Sequence, residues 1–302
     1  MDLLAIQNQL HAGKVDGWLF FDHHRRDPIA YRVLGLSDSG HISRRWYYWI
    51  PANGEPCKLV HQIEDWVLDS LPGKRTTYSA WPEQRKSLEE LLVGAETIAM
   101  QYSPDCMIPY VSLVDAGTVD LIRSMGKHVV GSSALVQYFE ARWSEQQLDG
   151  HLEAGRQIDQ ILSESFAEIG RHIATEGAVE EFTIAEFIRN RFTEEALHTT
   201  DGPIVAVNQN SGNPHYAPTA EQTSLIKAND FVLIDLWAKK NLPRSVYYDI
   251  TWVGFVGSEP PSEIQNIFEI VCGARDQSIE VVRSAIHDGR TLAAFEVDNT
   301  AR

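Results

Sequence analysis

Phe231-Val232-Leu233-Ile234-Asp235-Leu236-Trp237, then a polar turn, then Val246-Tyr247-Tyr248-Asp249-Ile250-Thr251: two apolar runs, each with one aspartate at its centre. Their β-branched and aromatic content predicts two strands joined as a hairpin. Symmetry about Leu242 places Asp235 directly opposite Asp249. Opposed residues share a face, with Cβ atoms about 4.5–5.5 Å apart, and like charges there repel. The pair therefore needs a shared proton, a basic partner or a divalent cation. The plainer alternative is a buried aspartate that caps a turn or pairs with Arg244 or Lys239.

Upstream of the first run lies the polar segment Val207-Asn208-Gln209-Asn210-Ser211-Gly212-Asn213-Pro214-His215-Tyr216-Ala217-Pro218-Thr219. Its Gly and Pro residues mark a loop, and His215 is its titratable group. Further upstream, Ser144 and Gln147 fit a capping box that opens one long helix, with Leu148, Leu152, Ile158, Ile161, Leu162, Phe166 and Ile169 at helical spacing. Thr183 and Glu186 fit a second box, with Phe182 and Phe187 placed as a hydrophobic staple. Downstream, Pro261 opens another long helix, and Glu296–Arg302 reads as the first turn of a third.

Residues 1–140 alternate strand-like and helix-like segments, which predicts an α/β domain. Asn53-Gly54 between Arg45–Ile50 and Cys57–His61 is a strong hairpin signal, because both turn positions tolerate positive φ. The segment Asp22-His23-His24-Arg25-Arg26-Asp27 mixes metal-ligand types. Adjacent histidines in a strand point to opposite faces, however, which favours a surface or interface role. The long helix from Ser144 makes a natural seam, giving domains over 1–140 and 144–302.

Composition removes several classes of function. The chain has 302 residues with 26 Lys+Arg against 42 Asp+Glu, a formal charge of −16. So acidic a surface disfavours nucleic acid and anionic membranes. No apolar run reaches the ~20 residues that span a bilayer. Cys57, Cys106 and Cys272 form neither a disulfide framework nor a metal spacing, so a reduced cytoplasmic protein is expected.

Taken together, Asn213–Thr219, Asp230–Ala238, and Tyr248–Thr251 with Gly254–Gly257 resemble the pita-bread metallopeptidase family, in its aminopeptidase P, prolidase and creatinase branch. The resemblance implies an α/β amino-terminal domain like that of creatinase. An α+β pita-bread catalytic domain would follow, with its second half missing from these residues. It implies that Asp235 and Asp249 are metal ligands and that His215 is a catalytic residue that hydrogen-bonds substrate. The cofactor would be divalent metal, two ions in the complete site, drawn from Mn, Co, Fe or Zn. The activity implied is hydrolysis of small X-Pro peptides by an aminopeptidase or dipeptidase, and the chain would form a homodimer. Two other readings stay open: a creatinase-like C–N hydrolase, and a non-catalytic peptidase-like binding module. Trp237 and Trp252 stand where many members carry Gly and Arg, which bears on pocket shape. A half-built pita-bread is expected to leave Leu233, Trp237 and Val253 partly exposed.

Overall fold

The structure, a computed structural model, describes every residue except Asp38. The chain divides into two compact units, Met1–Trp143 and Ser144–Arg302.

In the first unit, Asp2 accepts the Ala5 N–H and starts α1 (Leu3–Gly13). A six-stranded sheet follows from β1 (Gly17–Asp22), β2 (Trp46–Pro51), β3 (Cys57–His61), β4 (Lys74–Tyr78), β5 (Thr97–Met100) and β6 (His128–Gly131), in spatial order β4-β3-β2-β1-β5-β6. The Asn53-Gly54 hairpin forms, with Tyr47 opposite Leu59 and Trp49 opposite Cys57, and Gly54 takes φ 100° in its turn. The helices α2 (Pro28–Leu34), α3 (Trp81–Leu91), α4 (Ala116–Ser124) and α5 (Ser133–Val136) complete the alternation. Successive side chains of β1 and β2 feed two cores. Trp18, Phe20, Tyr48 and Ile50 enter one, while Leu19, Phe21, Tyr47 and Trp49 enter the other. Both faces are covered, which is why these strands read as unbroken apolar runs.

The second unit opens with α6 (Glu145–Glu176). Gln147 N–H donates to Ser144 Oγ at 3.2 Å and Ser144 N–H donates to Gln147 Oε1 at 2.9 Å, so the capping box is present. The helix ends on Gly177 at φ 82°. β7 (Ala178–Glu180) then runs directly into α7 (Glu181–Glu194). That entry corrects the second expected box: Glu180 is the N-cap, Thr183 lies inside the first turn, and Glu186 pairs with Arg189 instead. The strand delivers the chain to the helix before Thr183 is reached, so the local signal has no orphan N–H to satisfy.

The sheet of this unit centres on β11 (Phe231–Lys240). β9 (Ile204–Val207) and β12 (Tyr248–Phe255) flank it, both antiparallel, and the short β8 (Leu197–His198) pairs with its far end. β10 (Leu225–Lys227) pairs with β7. Val232, Ile234, Leu236 and Ala238 of β11 are fully buried against Ile158 and Ile161 of α6 and Ile184 and Ile188 of α7. Each larger side chain contributes roughly 1.5–3 kcal/mol on burial. The alternate residues of β11 face the other way and carry the candidate site. Beyond the sheet, α8 (Ser262–His287) packs on α9 (Ala294–Ala301) but buries only Ala285 of its own residues. Ile267, Phe268, Ile270, Val271 and Ile286 remain more than half exposed. Among the described residues no helix is long and apolar enough to cross a membrane.

Candidate functional site

The hairpin of β11 and β12 forms, but its register differs from direct opposition of the aspartates. Asp235 lies opposite Thr251, and Asp249 lies opposite Trp237. β11 continues to Lys240, and the reversal is carried by a turn containing Pro243 and Arg244, the latter at φ 61°. The turn is therefore centred one residue later than Leu242, which moves the pairing by two. A shift of two preserves the face. The carboxylates become diagonal neighbours, a relation that separates residues by about 7–8 Å.

The shared face is open. Asp235 is half-buried and Asp249 exposed, which does not match the plainer alternative of a buried aspartate. Thr251 Oγ1 donates to Asp235 Oδ1 at 2.8 Å. Asp249 has its carboxyl raised above the ordinary carboxylate range, first by burial of part of its surface and second by the charge of Asp235. Leu233, Trp237 and Val253, on the same face, are half-buried. Thr251 and Val253 also line a groove of about 720 Å³ whose opposite wall is Ile264, Phe268 and Val271 of α8.

His215 lies in an exposed turn, its N–H donating to Asn213 Oδ1 at 3.1 Å. No hydrogen bond or ion pair among the described residues joins its ring to Asp235 or Asp249. Its neighbour fixes where the loop sits. Tyr216 is buried with Ile204 and Ala206, against Leu233 and Trp237. Ile204 and Ala206 are opposite Asp235 and Leu233 across the β9–β11 ladder, so the loop docks on the aspartate-bearing face.

What pins that loop is a residue the sequence reading passed over. Glu181, the first residue of α7, has no exposed surface. Its Oε1 accepts from Val207 N–H at 2.6 Å and Asn210 Nδ2 at 2.9 Å. Its Oε2 accepts from Tyr216 Oη at 2.6 Å and Ser224 N–H at 2.8 Å. Burial and this carboxylate together push the Tyr216 phenol up to about 12. The only sequence cue is a glutamate on the threshold of an apolar helix, which resembles an ordinary first-turn acid.

Two carboxylates on one face, with hard oxygen donors turned outward, suit a divalent cation. They do not close a site by themselves: among the described residues no group of three or more His, Cys, Asp or Glu is placed to hold a metal.

Known structures share the fold. The chain is similar in structure to the prolidase of Pyrococcus horikoshii OT3, with a TM-score of 0.55 and 19% identity, covering 93% of this chain and 72% of that one. A dipeptidase of the same organism gives 0.56 and 21%, covering 100% and 76%. Dipeptidase PepE of Mycobacterium ulcerans gives 0.61 and 16%, covering 91% and 69%. At these identities the likeness is one of fold. No curated protein matches the chain by sequence. The sequence pattern of metallopeptidase family M24 matches residues 149–302, which run from within α6 to Arg302 and hold both aspartates. The chain belongs to metallopeptidase family M24.

Proposed function

We propose that this chain carries the aspartate part of a metal-dependent peptidase site for small peptides, of the X-Pro aminopeptidase or dipeptidase type. The observation that carries the reading is the common open face of Asp235 and Asp249, with the His215 loop docked on it through Tyr216. Asp235 and Asp249 would hold divalent metal, with Mn, Co, Fe or Zn suited to such oxygen donors. When bound, such an ion supplies a water of lowered pKa near neutral pH. The chain's own residues do the rest. Thr251 orients the Asp235 carboxylate through its hydroxyl. His215, exposed beside the site, is free to donate to a substrate carbonyl as negative charge develops there. The half-buried rings and alkyl groups of Trp237 and Leu233 provide an apolar floor for a small side chain such as proline.

The two-carboxylate donor set favours a second reading, a peptidase-like module that binds without turnover. One set of measurements separates them. Elemental analysis after dialysis against Mn is expected to find no stoichiometric pair of tightly held ions. Calorimetry should detect weak Mn binding that Asp235→Asn or Asp249→Asn abolishes. Affinity should rise with pH, since protonation of Asp249 competes with the cation. Hydrolysis of X-Pro dipeptides that requires metal and Asp235 supports the peptidase reading. Metal-independent cleavage of creatine would replace it with a creatinase-like C–N hydrolase. Mn binding undiminished by either substitution would refute the site itself.

A further inference from the structure

The segment that follows β1 is basic, and its geometry is unusual for so acidic a chain. β1 and β2 pair with Asp22 opposite Trp46, so His23 and Arg45 are the next residues beyond that end of the ladder. Asp22 is buried, and its carboxylate accepts the N–H groups of Arg25 at 2.9 Å, Arg26 at 2.6 Å and Asp27 at 3.1 Å, and the Tyr31 hydroxyl at 3.2 Å. These bonds curl the backbone until His24 and Arg25 take φ 61° and 56°, a region that non-glycine residues seldom occupy. Arg25 is used internally: its guanidinium donates to the carbonyls of Ser39 and Gly40 and lies over the Tyr31 ring. His23, His24 and Arg26 are left projecting from a rigid loop.

Cations crowd this corner. The rings of His23 and His24 meet edge to face at 4.3 Å between centroids. Burial, together with His24, Arg45 and Arg26, holds the His23 imidazole below the usual histidine range, against the opposing pull of Asp22. The nearby carboxylates Asp22, Glu64 and Asp115 each accept from other donors, and Asp27 is buried, its Oδ1 accepting from Ala30 N–H. Asp22 serves the loop. Glu64 accepts from Ser43 and from Arg44 N–H, and Asp115 caps α4 through Thr118. Arg45 is anchored by its backbone, whose carbonyl accepts from Tyr78 Oη at 2.8 Å. Its guanidinium and that of Arg26 are exposed and make no ion pair among the described residues. The chain has 42 acidic side chains to 26 basic ones, so leaving two guanidiniums beside two imidazoles without a close ion pair is not forced by composition, although the Arg45 charge still acts on Asp115.

We propose that His23, His24, Arg26 and Arg45 form a binding site for a phosphate group, free or carried on a small molecule. Two guanidiniums match a dianion, because a single carboxylate would leave one of them uncompensated. Planar guanidinium forks also fit the oxygen spacing of phosphate, and imidazole N–H groups add donors. The loop is preorganised by buried Asp22, so little ordering is required on binding.

The test uses the full 302-residue chain and inorganic phosphate at constant ionic strength, followed by calorimetry and by the side-chain NMR signals of His23 and His24. Saturable one-to-one binding is expected, with shifts at those two imidazoles. Arg26→Ala and Arg45→Ala should each weaken it about tenfold or more, and the double variant should not bind. Both side chains are exposed, so the melting temperature without phosphate should be unchanged, which separates lost binding from lost folding. Arg45→Lys keeps the charge but not the fork and should recover only part of the affinity. Phosphoserine binding at least as tightly as phosphate would identify a carried group, whereas binding of phosphate alone would identify the free ion. No saturation by about 10 mM phosphate, equal binding of acetate, or undiminished binding by the double variant would overturn the proposal.

Discussion

Glu181 is the residue on which the candidate site should depend most without touching it. Its fully buried carboxylate receives four donors from four separate segments: the end of β9, the turn after it, the Tyr216 loop and the irregular segment leading to β10. Glu181→Gln is nearly isosteric but replaces one accepting oxygen with an N–H donor. Whichever way the amide turns, two of the four donors face a donor instead of an acceptor. A buried polar group left unsatisfied costs roughly 1–3 kcal/mol, so the substitution should destabilise the second unit by roughly 2–6 kcal/mol. That range is comparable to the stability of a whole small domain. Tyr216→Phe removes one donor and leaves the carboxylate three, so it should cost only about 1–2 kcal/mol. Urea unfolding gives the global figure, and amide hydrogen exchange at Val207 and Ser224 gives the local one. In Glu181→Gln, exchange at one or both amides should accelerate by an order of magnitude or more, and the 213–219 loop should lose protection with them. Unchanged unfolding and unchanged exchange in that variant would refute the view that this carboxylate holds the loop.

Two further perturbations follow from groups outside the site. Burial raises the Asp27 carboxyl from its ordinary 3.8 to about 7, with the neighbouring Asp22 charge adding to the shift and the Ala30 N–H opposing it. The folded state then keeps a proton that the unfolded state releases. Stability should fall as pH rises from about 4 to about 7, by roughly 4 kcal/mol in all. Asp27→Asn retains an acceptor for Ala30 and should remove this slope; urea unfolding at pH 5 and pH 8 that still shows the same difference in the variant would contradict it. α8 leaves Ile267, Phe268, Ile270 and Val271 more than half exposed, and clustered apolar groups of this kind mark contact surfaces. We expect concentration-dependent association, read by sedimentation velocity, that Phe268→Glu with Val271→Lys suppresses. A monomer at all concentrations that does not bind a hydrophobic dye would count against it.

How much was legible in the sequence depends on the range of the interaction. The Asn53-Gly54 hairpin and the Ser144–Gln147 box are decided within a few residues, and both form as read. The Thr183–Glu186 box uses the same vocabulary and fails, because β7 and Glu180 set the start of α7 from outside the motif. Glu181 itself was invisible for a related reason. Its partners lie 26 to 43 residues away, and nothing in its immediate neighbours distinguishes a buried hub from a solvated first-turn acid. The face of Asp235 was equally hidden. Phe231–Trp237 shows no polar alternation apart from the aspartate, so only the packing of α6 and α7 reveals which side is core.

The register of β11 and β12 shows why the face was nonetheless robust and the distance was not. A slip of one residue would drive Val232, Ile234 and Leu236 out of the α6–α7 core and push Asp235 into it. Each lost apolar side chain costs roughly 1.5–3 kcal/mol, and an unpaired buried carboxylate costs more. Only even slips survive that penalty, so turn chemistry was free to choose among them. The turn through Pro243 and Arg244 selects the one in which Thr251, not Asp249, stands opposite Asp235. Repulsion between the carboxylates is thereby eased by diagonal spacing and by a neutral hydroxyl donor to Asp235. No basic side chain is spent on neutralising the pair: among the described residues Arg244 and Lys239 form no ion pair with either aspartate, and Lys239 lies over the Tyr247 ring instead. A pair kept apart in this way, half in solvent and with one carboxyl raised first by burial and second by the charge of the other, keeps oxygen lone pairs open to solvent. That is the property a structural aspartate pair would have had reason to lose.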